Sequence, residues 1–146
     1  MKPILITLTA LFSLISMSSF ANDTNVSSKV EASFKNSFKS ATEVNWTAGA
    51  NFYRADFSFN GQIVAAFYNE GGEMIALTRN ISSTQLPLAL QTGLKKNQEG
   101  YWISSLFEIA NEEGTSYYVT LENADKKLVM KSSGADWMSF QKQKKS

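Results

Sequence analysis

Cys and His are both absent from the 146 residues, and with them go the commonest nucleophiles, bases and soft metal ligands. There can be no Cys nucleophile, no Ser-His-Asp triad, no His general base and no zinc held by His or Cys. Carboxylates, Lys, Arg and Tyr are what remain for chemistry. Two acidic turns draw attention, Asn69 to Glu73 and Asn111 to Gly114. Neither has the alternating oxygen ligands of a calcium loop, and acidic turns need no glycosidase role. No catalytic residue, cofactor site or metal site is assigned, and the chain reads as a non-enzyme.

Binding chemistry is better represented. Arg54, Asp56 and Arg79 fall on polar positions of alternating segments, with Phe52 and Tyr118 as aromatic anchors. Arg and aromatic side chains are the types enriched at binding hot spots. Phe52, Arg54, Asp56, Arg79 and Tyr118 are therefore the candidate partner-binding face. The plain alternative is a set of cross-strand ion pairs on a solvated surface, each worth ~0.2–1 kcal/mol. Trp46 and Trp102 read as core residues, while Trp137 is open to either role.

The start of the chain bounds where such a face would work. Met1-Lys2, an apolar run from Ile4 to Ile15 and Ser19-Phe20-Ala21 have the form of a secretory signal peptide over 1–21. The run is shorter than the roughly 20 residues a membrane span needs. The expected product is exported, periplasmic or secreted, with no membrane span once the signal is removed. Without Lys2 it carries 13 basic and 13 acidic groups. No net field draws it to nucleic acid. With no Cys, no disulfide can form, so an exported domain must rest on its core, and the aromatics supply that core.

Residues 22–27 are small and polar and read as a disordered lead. A capping box at Ser28-Lys29-Val30-Glu31 and the spacing of Val30, Phe34, Phe38 and Ala41 predict a helix over 28–41. Val44 and Trp46 begin a strand. Tyr53, Ala55, Phe57 and Phe59 alternate with Arg54, Asp56 and Ser58, which predicts a strand over 51–59 with one buried face. Asn60-Gly61 is a type I′ hairpin signal. Strands over 62–68 and 73–81 follow, the first apolar on both faces. Leu86, Leu90 and Leu94 predict a second helix over 86–96, in which Gly93 allows close approach to the sheet. Further strands are expected at 101–111, around 117–121, at 128–131 and from Trp137 to Phe140, with a bulge near Ser104-Ser105. A basic tail, 141–146, ends the chain.

The pattern repeats. Trp46 lies eight residues after Phe38, and Trp102 lies eight after Leu94. The two halves, about 28–81 and 84–140, read as a tandem unit of one helix plus antiparallel strands. The expected fold class is α+β: one curved antiparallel sheet with both helices on one face.

The residues that recur in order are Val44 and Trp46; Tyr53, Ala55 and Phe57; Ala66 and Tyr68; Ile81, Leu86 and Pro87; and Tyr117, Val119 and Leu121. In this order the chain resembles the PepSY-like, beta-lactamase-inhibitor-like family of small exported bacterial proteins. The resemblance implies a tandem α+β repeat with a curved sheet. In the inhibitor that lends the family its name, the concave sheet surface binds a protein partner, and some PepSY domains are inhibitory or chaperoning pro-segments of peptidases. This chain has neither the inhibitor's paired cysteines nor an attached peptidase. The expected function is an exported module that holds or inhibits an unknown protein or peptide partner on the open sheet face. The alternative is a carrier of small hydrophobic ligands, bound between helices and sheet.

Overall fold

The computed structural model describes residues 24–146. The expected signal segment lies outside the described residues. Helix α1 spans Ser28–Ser37, followed by β1 (Thr42–Ala48), β2 (Phe52–Phe59), β3 (Gln62–Asn69) and β4 (Met74–Asn80). A 3-10 turn at Ser83–Gln85 leads into α2 (Leu88–Asn97). Then come β5 (Trp102–Asn111), β6 (Gly114–Glu122), β7 (Lys126–Ser133) and β8 (Asp136–Lys144). All eight strands form one antiparallel sheet in sequential order, and it is open because β1 and β8 do not pair. The class is α+β. Among the described residues no helix is long and apolar enough to cross a membrane.

Turn chemistry fixes the register. Asn60 and Gly61 both take positive φ, 50° and 75°, as a two-residue hairpin requires. Phe59 therefore faces Gln62, and Arg54 faces Phe67, by counting outward. At the β3–β4 turn the Asn69 side chain accepts from the N–H groups of Gly71 and Glu73. That is a local role for a residue of the acidic turn.

Both helices lie on one face. Val30, Phe34 and Phe38 from the first half pack on Ala55, Phe57, Val64, Ala66 and Tyr68. Leu86, Leu90 and Leu94 pack on Leu106, Val119, Leu121 and Met130. Leu77 belongs to the first cluster and faces Ala110, which shares a side with Leu106, so the two clusters are on the same side of the sheet. The α1 seam is aromatic: Phe34 meets Phe57 edge-on at 4.9 Å and Trp46 at 5.2 Å. The α2 seam is aliphatic, closed by Trp137, whose indole N–H donates to the Leu90 carbonyl at 2.9 Å.

Gly93 has the packing role expected of it. A Cβ there would come within 3.1 Å of Trp137 Cδ1, a tight contact, so the bare backbone lets β8 approach the helix closely. Several expected boundaries shift. The cap of α1 is Ser27, whose side chain accepts from Val30 N–H, not Ser28. The helix ends at Ser37 because Phe38 leaves helical φ/ψ (−128°, 62°) to release the chain into β1. Residues 24–27 are not a free lead: Thr24 Oγ1 donates to the Trp46 carbonyl, and Val26 packs on the first core cluster. Residues 141–144 continue β8 rather than forming a tail, paired with Lys126–Val129. Lys145 donates its backbone N–H to the Asp125 carbonyl and its Nζ to the Asn123 carbonyl, both at 2.8 Å.

Candidate functional site

The face without helices is built by strand alternation alone. Phe52, Arg54 and Asp56 are two apart along β2 and point the same way. Register places Arg54 beside Phe67 and Asp56 beside Ala65. The guanidinium of Arg54 sits 5.5 Å over the Phe67 ring and donates to the Asp56 carboxylate at 2.6 Å. Phe52 lies 6.1 Å from the same ring. In the second half Phe107 and Tyr118, partners across β5 and β6, stack at 5.3 Å with planes 6° apart. Phe140 meets Tyr118 edge-on at 5.4 Å, and Lys131 holds its ammonium 5.8 Å above the Tyr118 ring.

Phe67 and Tyr118 are 0% and 1% exposed although no helix of the described residues lies on this face. Neighbouring rings and a cation close over each of them, an arrangement in which ring faces and positive charge attract. Ala65, Ala76, Ile109 and Val129 join the two halves into one cluster. Burial pushes the Tyr118 hydroxyl up to about 12, and it does the same to Tyr68 on the helix side.

Around this closed centre the surface is open and apolar. Ile63 is 68% exposed, and Trp102 and Met138 are 52% exposed each. Register puts all three on the helix-free face: Ile63 opposite Ser58, Trp102 opposite Glu122 and Met138 opposite Lys131. Trp102 was expected in the core. The bulge between Ile103 and Ser105 inserts one residue and turns Trp102 to the other side, where Lys145 lies 4.8 Å over its ring. The Glu122 carboxyl is held below the ordinary carboxylate value, first by a hydrogen bond from Ser104 and then by one from Lys145.

Of the five residues singled out from sequence, Phe52, Arg54, Asp56 and Tyr118 share this face. Phe52, Arg54 and Asp56 gather around Phe67, while Tyr118 belongs to the β5–β8 half. Arg79 does not share it. It pairs with Val64 and Glu108, so its side chain projects on the helix side. There it makes a two-pronged contact to Glu108, at 3.0 and 3.3 Å, and a bond to Gln62. That ion pair raises the Arg79 pKa. A charge is tolerated on the helix side because Arg79 falls between Leu77, beneath α1, and Ile81, beneath α2. Sequence reasoning missed Phe67, Phe107, Lys131, Ile63 and Met138. Phe67 was within reach, since the two-residue turn at Asn60-Gly61 fixes it opposite Arg54.

Among the described residues no group of three His, Cys, Asp or Glu side chains could hold a metal ion. No family model matches the chain, and no curated protein does. Solved structures do. A BLIP-like protein from Bacteroides fragilis superposes with a TM-score of 0.69 at 18% identity, covering 83% of this chain and 87% of its own. A DUF2874 family protein from Bacteroides ovatus gives 0.73 at 15% identity, covering 84% and 89%. A candidate periplasmic protein from Bacteroides eggerthii gives 0.71 at 14%, covering 86% and 90%. These likenesses establish a BLIP-like fold. They support the fold implied by the resemblance seen in the sequence, and none of them carries its PepSY-like part.

Proposed function

We propose that this chain is an exported, non-enzymatic binding module that holds a protein or peptide partner on its helix-free sheet face. The observation that carries the proposal is where the apolar surface lies. Among the described residues, three of the five large apolar side chains that stand exposed, Ile63, Trp102 and Met138, are on that one face. They surround aromatic rings that cations already cover, so a partner meets a rigid floor and pays little ordering entropy there. Exposed apolar groups clustered on one side mark interaction sites more often than scattered ones do. The BLIP-like and candidate periplasmic neighbours support the same reading of fold and compartment.

The two halves, each a helix followed by four strands, are read as copies of one unit. A bulge in the first strand of each half, β1 and β5, supports this. Phe52, Arg54, Asp56 and Tyr118 form the floor of the site, with Arg54 and Lys131 as its cations. Charge-introducing changes at the open rim, Ile63→Glu with Met138→Glu, should remove partner binding while leaving the melting temperature within a few degrees. Retained binding in that double variant would overturn the placement.

A further inference from the structure

A second site lies where the sheet is interrupted. β5 is ten residues long, yet β4 pairs with it only from Phe107 to Ala110. The ladder closes with one further bond, from Ile81 N–H to the Leu106 carbonyl. Beyond it, residues 102–105 have β6 on one side and, among the described residues, no strand on the other. The gap is built rather than frayed. Ser82 N–H donates to the Gln85 side chain at 2.8 Å, and this capping box turns the chain away into the 3-10 turn and α2. A cleft of about 330 Å³ remains between residues 80–83 on one wall and 103–106 on the other. None of those eight side chains is ionisable. Ser104 is the extra residue of the β5 bulge and stands opposite no residue of β6.

We propose that this edge of β5 accepts a short, uncharged, extended peptide segment of a partner as an added strand. An open strand edge offers main-chain donors and acceptors in a fixed row, which an incoming chain satisfies in the same way as β4 does farther along. Four residues of gap correspond to about 13 Å of extended chain. The neutral lining, with hydroxyls from Ser82, Ser83, Ser104 and Ser105 and aliphatic groups from Ile81, Ile103 and Leu106, favours small neutral side chains over charged ones. This site is separate from the helix-free face and stands or falls without it.

The test titrates the mature chain with an acetylated, amidated Val-Thr-Val-Thr peptide and follows backbone amide resonances. Saturable shifts confined to 80–83 and 102–106, at peptide concentrations below about 1 mM, are expected. N-methylation of alternate peptide amides gives a sharper signature. In an antiparallel pair only alternate residues bond across to a given neighbour, so one methylation set should weaken binding by roughly tenfold or more and the complementary set should not. Ser83→Trp, at an exposed position on the rim of the cleft, should block the peptide while the remaining spectrum is unchanged. Equal binding of the two methylated peptides, shifts mapping elsewhere, or no shifts at all, would each overturn the proposal.

Discussion

Trp137 and Gly93 make a pair whose coupling can be worked out in advance. In the middle of a helix, Gly→Ala normally stabilises by about 1 kcal/mol, because alanine loses less backbone entropy. Gly93 is in the middle of α2, so that gain should be available. It is opposed by Trp137. The new Cβ would sit 3.1 Å from Trp137 Cδ1, inside ordinary van der Waals contact. The indole cannot move aside freely, because its N–H is fixed to the Leu90 carbonyl at 2.9 Å. Shifting the ring by a few tenths of an ångström would weaken that bond, worth about 0.5–1.5 kcal/mol, and the two effects should nearly cancel. Gly93→Ala alone is therefore expected to leave stability within about 0.5 kcal/mol of the parent. In a Trp137→Ala background the obstruction is gone, and the same change should stabilise by the full ~1 kcal/mol. Urea denaturation of the four chains gives the coupling directly. Gly93→Ala gaining its full ~1 kcal/mol with Trp137 present would refute the argument that this glycine exists for the indole.

Three further outcomes follow from the packing and the titrating groups. Phe34→Ala, which removes the ring that touches Phe38, Trp46 and Phe57, should cost about 3–5 kcal/mol in urea unfolding, in line with large-to-small core changes. Tyr68 and Tyr118 have folded pKa values raised from 10.0 to about 12 by burial. Above pH 10 the unfolded chain loses those protons while the folded chain keeps them, so stability should fall between pH 10 and 12, by about 2–3 kcal/mol per tyrosine. Tyrosinate absorbance should show Tyr68 and Tyr118 deprotonating only in that range or on unfolding. Removing Lys145 and Ser146 takes away one of the hydrogen bonds that depress the Glu122 carboxyl. A depressed carboxyl stabilises the fold above its unfolded pKa and loses that contribution as pH falls through the folded value. The shortened chain should therefore titrate Glu122 at higher pH by carboxyl NMR and lose less of its melting temperature below pH 4.5.

Much of the fold was legible because turns and alternation act locally. Asn60-Gly61 gave the β2–β3 hairpin, the Leu86, Leu90 and Leu94 repeat gave the α2 seam, and Gly93 signalled close approach. What escaped is what depends on the far side of a pairing. Arg79 read as one more polar outward position, because the sequence does not show that the gap between the helices tolerates charge on the helix side. Trp102 read as core because a bulge reverses facing, and one inserted residue changes the side on which every earlier side chain of the strand projects. Residues 141–146 read as a tail because a run of lysines is also what a protected edge strand presents. The floor of the site was half visible. Phe52, Arg54, Asp56 and Tyr118 were found, but Phe107 was not, because it meets Tyr118 only through the β5–β6 register counted back from Asn111 opposite Gly114.

The partner-binding claim is tested most directly by comparing opposite faces of the same sheet. The mature chain, the Ile63→Glu/Met138→Glu variant and a Leu88→Glu control would each be immobilised and exposed to the envelope extract of the producing cell. Retained proteins would then be quantified by mass spectrometry. Leu88 is 77% exposed on α2, so the control alters an even more open apolar side chain on the helix side. The same partner should be retained by the parent chain and by Leu88→Glu, and lost with Ile63→Glu/Met138→Glu, with all three chains folded by circular dichroism. Loss with Leu88→Glu and retention by the double variant would place the binding surface on the helices and contradict the assignment to the open sheet face.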